Sequence, residues 1–92
     1  MSAYLIVELT VRDAEAKNRY AAAAEPIVKS FGGEFLINGP ITTLFGEAQF
    51  SNALIVRFAD RESAISFYNA PIYQALLEER ALGIDCRFSL LG

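Results

Sequence analysis

Histidine is absent from the 92 residues. That removes Ser-His-Asp and Cys-His catalysis, histidine-ligated haem and most zinc sites, each of which needs an imidazole as base or ligand. No metal site is expected. Cysteine occurs once, as Cys86, so no internal disulfide can form. Its alternation with Ile84 and Phe88 reads it as a core residue rather than a reactive thiol. Neither a G-x-G-x-x-G run nor a phosphate-binding loop occurs, which argues against a tightly held nucleotide, and no cofactor is expected. Lysine and arginine total 8 against 11 acidic residues, unclustered, for a net charge of −3. The basic footprint of a nucleic-acid binder is missing. No apolar run approaches the roughly 20 residues of a membrane span. The opening MSAYLIVELTV also lacks the basic region and cleavage site of a secretory leader. Nucleic acid and membrane are therefore not expected partners, and a cytoplasmic location is expected.

Hydrophobic residues, by contrast, make up 53% of the chain, above the usual range of roughly 45–50%. Ninety-two residues are expected to form one domain, 1–92, and at that size folding alone hides only about 60–65% of the surface. A second buried face supplied by a partner chain would reconcile the two.

The stretch AYLIVELTV carries Leu5, Val7, Leu9 and Val11 on one side and Tyr4, Ile6, Glu8 and Thr10 on the other, as a strand with one dry face would. Asp13 is placed to cap a helix over 14–31, whose Ala16, Tyr20, Ala23, Ala24, Ile27 and Phe31 recur at helical spacing. Pro26 removes one backbone bond inside it and predicts a kink. Gly32 and Gly33 end the helix. EFLIN then reads as a strand closed by the turn residues Gly39 and Pro40, ITTLFGEAQFSN as a ragged strand or loop, and ALIVRF as a third strand.

Asp60 caps the next helix, RESAISFYN. Pro71 disfavours helical backbone at Ala70 and is itself suited to a first helical position, so SFYNAPIYQALLEER is expected as two helical pieces. In the second piece Tyr73, Leu76, Leu77 and Arg80 share a face, and Gly83 ends it. IDCRFSLL closes the chain as a strand, with Ile84, Cys86, Phe88 and Leu90 opposite Asp85, Arg87 and Ser89.

The order βαββαβ is that of an α+β ferredoxin-like fold, a four-stranded antiparallel sheet carrying both helices on one face. The other face then shows Tyr4, Ile6, Glu8, Asn38, Ile55, Arg57, Asp85 and Arg87, too greasy for comfortable surface and too polar for core. Pairing it with a second copy by two-fold symmetry would bury the aliphatics and leave an enclosed, partly polar cavity. A homodimer of the dimeric α+β barrel type is the expected assembly.

Several residues could carry chemistry. Arg80, on the apolar face of the last helix, could clamp a carboxylate or enolate oxygen with its planar fork, or pair internally with Asp85. Tyr68 and Tyr73 flank the proline break and could donate to a bound carbonyl, or pack and satisfy their hydroxyls locally. Tyr20 reads as core. Glu8, expected beside Arg57 and the Asp85/Arg87 strand, is a candidate general base or half of a cross-strand ion pair. Asp85 is the second candidate catalytic carboxylate. Asn38 could donate to a ligand oxygen or shape the turn before Gly39.

Taken together, YLIVELTV, the FGGEFL stretch, LIVRF, the FY..P.YQALL..R pattern and the D.R near the end resemble the domain-of-unknown-function 1330 family over nearly the whole chain. The resemblance implies the dimeric α+β barrel fold and no particular activity. Relative to the family pattern, this chain has Asn38 where arginine is usual, Phe45 where an acidic residue is usual, Phe67 for tryptophan and Ala70 for serine. A pocket lined by the first two would accept something less ionic.

Two functions are open at this point. One is binding of a small, partly apolar molecule by Asn38, Tyr68, Tyr73 and Arg80, possible cofactor-independent catalysis on an enolisable or aromatic compound included. The other is a non-catalytic dimeric structural or binding module.

Overall fold

The computed structural model describes residues 1–92. Eight elements follow in order: β1 (Ala3–Val11), α1 (Ala14–Ser30), β2 (Glu34–Pro40), β3 (Asn52–Phe58), α2 (Arg61–Asn69), α3 (Pro71–Gln74), α4 (Leu77–Gly83) and β4 (Ile84–Leu91). The sheet order is β2-β3-β1-β4, with every neighbouring pair antiparallel. This is the ferredoxin-like arrangement, and both helical crossovers lie on one face.

The dry sides of the strands define that face. Leu5 and Val7 of β1 and Val56 and Phe58 of β3 are buried against Ala24, Ile27 and Val28 of α1 and Phe67 of α2. Phe67 is the hub, its ring 5.7 Å from Phe58 and 4.6 Å from Tyr73 between centroids. On α1 the buried stripe runs through Ala16, Ala24, Ile27 and Val28, while Ala23, expected inside, is exposed. No helix is long and apolar enough to cross a membrane.

Local chemistry places the helix ends. Asp13 accepts from the backbone of Glu15 and Ala16, and Asp60 from that of Ser63, satisfying donors that the first turn leaves orphaned. The helix α1 continues through Pro26. Past it, Gly32 takes φ +83°, and Gly33 folds so tightly onto α1 that a Cβ there would lie 2.5 Å from Val28 Cγ1.

Three features differ from the sequence expectation. Gly39 and Pro40 are not a turn but the last strand residues of β2, opposite Ala53 and Asn52, because an edge strand tolerates the absence of the N–H donor that proline lacks. Within β2 the register slips between Phe35 and Ile37; this bulge at Leu36 turns Asn38 to the helix face beside Leu54, not the opposite face. And the helical piece after Pro71 is itself interrupted at Ala75–Leu76, where Leu76 bonds back to Tyr73 in a tighter turn before α4 begins.

The opposite sheet face is open. Ile37, Ile55 and Ile6 stand side by side across β2, β3 and β1, with Ile37 64% exposed. Beyond β2, the loop 41–51 puts Leu44 and Phe45 almost fully into solvent, at 95% and 99% exposure.

Candidate functional site: a tyrosine–arginine chain beside an apolar cleft

Four helical elements each send one polar side chain to a common point. Tyr20 comes from α1, Tyr68 from α2, Tyr73 from α3 and Arg80 from α4. The proline break makes this possible: Ala70 is extended (φ −62°, ψ 133°), so α3 turns back and brings the Tyr73 ring within 5.4 Å of that of Tyr68. Arg80, two turns further on, donates from Nη1 to both the Tyr68 and the Tyr73 hydroxyls, at 3.1 Å each. The Tyr73 hydroxyl in turn lies 2.6 Å from that of Tyr20. The Arg80 guanidinium also sits over the rings of Phe88 and Tyr68, at 4.7 Å and 5.7 Å from their centroids, where the ring faces attract a cation.

No carboxylate neutralises Arg80. The four ion pairs of the chain are Arg19–Glu79, Lys29–Glu25, Arg57–Glu34 and Arg87–Glu8. The internal pairing of Arg80 with Asp85, one reading of the sequence, is therefore not what the fold makes: Asp85 points out from β4, opposite Thr10 and exposed. Burial works against the Arg80 charge, but hydrogen bonds to the Tyr68 and Tyr73 oxygens outweigh it and hold the guanidinium above its ordinary pKa. Burial pushes the Tyr20 phenol strongly up, with its neighbour Tyr73 adding to the effect. Burial raises Tyr73 too, against the opposing hydrogen bonds from Tyr20 and Arg80. Both phenols keep their protons at any ordinary pH.

Beside this chain a cleft of about 560 Å³ opens between α1 and the helix-facing side of the sheet, reaching from β2 across β3 and β1. At its β2 end the sheet is largely exposed. Its walls are mostly aliphatic, among them Val7, Leu9, Leu54 and Val28, joined by Phe67 and Phe88, with Tyr20, Asn38 and Asn52 as polar members. Lys17 and Glu25 of α1 also line it. On the other side of Phe88 a smaller hollow of about 300 Å³ is lined by Tyr68.

Of the residues singled out in the sequence, Tyr68, Tyr73 and Arg80 come together, and Asn38 lines the cleft. Glu8 and Asp85 do not join them, since both lie on the open sheet face. Glu8 neighbours Ala53 and Arg87 rather than Arg57, and is tied to Arg87 Nη2 at 2.9 Å and Nε at 3.0 Å. Arg87 is further engaged by Gln49 at 3.0 Å. Cys86 is half-buried, and burial raises its thiol pKa, which suits a core residue. Tyr20 is the participant that sequence reasoning passed over. The available signal was a phenol on the apolar face of a helix, whose hydroxyl had to find a partner.

With this geometry in place, comparison with known proteins gives a consistent picture. The model of a domain of unknown function (DUF1330) matches residues 2–91. No curated protein matches the chain. Among solved structures, the RPA0582 protein of unknown function from Rhodopseudomonas palustris superposes with a TM-score of 0.80 at 16% identity, covering 98% of this chain and 80% of that one. SnoaB, a cofactor-independent oxygenase from Streptomyces nogalater, gives 0.71 at 12% identity, with 99% and 91% covered. A dimeric ferredoxin-like protein of unknown function from Jannaschia sp. CCS1 gives 0.66 at 15% identity, with 100% and 99% covered. Identities this low carry the fold and nothing finer.

Proposed function

We propose, for a chain that belongs to the DUF1330 family, that it binds a small, partly apolar molecule in the cleft between α1 and the sheet, and that it does so as a homodimer joined through the open sheet face. The observation that carries the first part is the cleft itself: about 560 Å³, mostly apolar, with few polar groups, the usual make-up of a small-molecule site. Asn38 and Tyr20 are among the polar residues on its walls, with Asn52, Lys17 and Glu25, and Tyr73 and Arg80 are tied to Tyr20 by hydrogen bonds. A core that needed the space would have filled it, since interiors pack close to crystal density.

Support for the dimer comes from the isoleucine row across three strands and from the dimeric Jannaschia relative. Catalysis without a cofactor, on an enolisable or aromatic compound, has a precedent on this fold in SnoaB. Of the groups that could move a proton there, Glu8 and Asp85 stand on the other sheet face, which leaves Glu25 and Lys17 on the cleft wall. That Glu8 is held by Arg87 favours for this carboxylate the second reading, a structural role in a non-catalytic dimeric module.

A thermal-shift screen of a metabolite library tests the proposal when run on the wild type and on Ala21→Trp. Ala21 is exposed and lines the cleft, so an indole there fills the space without entering the core. Compounds that stabilise the wild type and leave Ala21→Trp unmoved are the expected result. Hits that stabilise both equally, or none at all, would place the site elsewhere or remove it.

A further inference from the structure

The direction of the hydrogen bonds in the tyrosine–arginine chain is fixed by its buried end. Arginine only donates, so the Tyr73 oxygen accepts from Arg80 Nη1. Tyr73 is 0% exposed, and the only hydrogen-bond partners of its hydroxyl are Arg80 and Tyr20. Its own proton therefore has one destination, the Tyr20 oxygen at 2.6 Å; the reverse arrangement would leave a buried O–H without an acceptor, at a cost comparable to the loss of a hydrogen bond. Tyr20 accepts from Tyr73, makes no other hydrogen bond, and lines the cleft. Its proton is left for whatever the cleft contains.

We infer that the cleft takes a molecule presenting a carbonyl oxygen to the Tyr20 hydroxyl, which Arg80 and Tyr73 together commit to the role of donor. This rests on the reading of the cleft as a ligand site and adds the chemical class of the ligand. Each donor in the series polarises the next, and the head of the series is a cation with no carboxylate partner. The terminal hydroxyl thus offers a strengthened hydrogen bond to an oxygen that bears partial negative charge. A ligand with only donors at that end, such as an ammonium or an amide N–H, would meet a proton already directed at it. The hydrophobic walls on either side suit a ring or branched chain on the carbonyl carbon.

Two near-isosteric probes test this: 2-acetylnaphthalene, which carries the carbonyl, and 2-isopropenylnaphthalene, in which a CH₂ replaces the oxygen. Titration of each into the wild type and into Tyr20→Phe forms a cycle in which differences in probe solvation cancel. The expected result is that Tyr20→Phe weakens the ketone about five- to tenfold and changes the alkene less than about twofold. A hydroxyl that merely holds Tyr73 in place would weaken both probes alike. If both bind and shift together, this inference falls while the cleft stands; if neither binds the wild type, the cleft as ligand site falls and this inference with it. The carbonyl stretch of the wild-type-bound ketone gives a measurement independent of any variant. It should lie below its value in an aprotic solvent, and an unshifted band would overturn the donor assignment.

Discussion

At the scale of single residues, the most constrained group is the Tyr73 hydroxyl, which stitches α1, α3 and α4 together through Tyr20 and Arg80. Its burial has a thermodynamic signature. Tyr20 and Tyr73 are both raised above the ordinary phenol value of 10.0, so the folded state disfavours ionisation while the unfolded chain ionises freely. A raised folded pKa means stability that is complete below the unfolded value and lost as pH climbs through the window above it. Urea midpoints should therefore hold level from about pH 7 to about pH 9 and fall beyond about pH 10. Tyr73→Phe, lacking one of the two shifted phenols, should show a shallower alkaline fall from a lower starting stability. An equally steep fall in the variant would contradict the assignment of the titration to this chain. The same residues show why the site was only half legible. Tyr68, Tyr73 and Arg80 lie within 13 residues of one another around a proline whose effect is local, whereas Tyr20 is 53 positions from its partner and its pairing exists only once α1 lies on α3.

At the scale of elements, close approach replaces side-chain chemistry. Gly83 ends α4 where that helix meets the start of α1: a Cβ there would fall 2.5 Å from the Lys17 amide nitrogen and 2.7 Å from its Cα. The Gly83 carbonyl also accepts from the Arg12 and Asp13 amides at 2.8 Å and 3.2 Å. Backbone cannot yield as a flexible side chain can, so Gly83→Ala should cost about 2–3 kcal/mol in urea unfolding, or a thermal midpoint lower by roughly 4–8 °C for each of those kilocalories. A loss under about 0.5 kcal/mol would show that the two helices can separate freely. The sequence marked Gly83 as a helix end, which it is, but not as a crossing point, because crossings are set by partners. The caps at Asp13 and Asp60, the break at Pro71 and the end at Gly32 were legible for the opposite reason, since each acts within one turn of itself. The bulge at Leu36 and the interruption at Ala75–Leu76 contain no glycine or proline to announce them. On β2, the bulge is what carries Asn38 into the cleft.

At the scale of the whole molecule, the two faces of one sheet are assigned different tasks. The helix face packs around Phe67 and leaves the cleft under α1; the open face carries the isoleucine row, flanked by the Glu8–Arg87 and Arg57–Glu34 pairs. The chain measures 31 × 30 × 17 Å, a slab whose broad side is on the order of 900 Å² against the roughly 800 Å² per partner of a standard stable interface. Alternation in β1, β3 and β4 foretold both faces, because it depends only on the two-residue period of extended backbone; on β2 the bulge broke that period and moved Asn38 across. The greasy, partly polar make-up of the open face called for a second copy of the chain to cover it. Sedimentation equilibrium at micromolar concentration decides this directly. The account predicts a particle of about twice the 10.1 kDa chain mass, reduced to one chain by Ile55→Lys with its circular dichroism intact; a wild type that sediments at 10.1 kDa, its isoleucines in water, would contradict it.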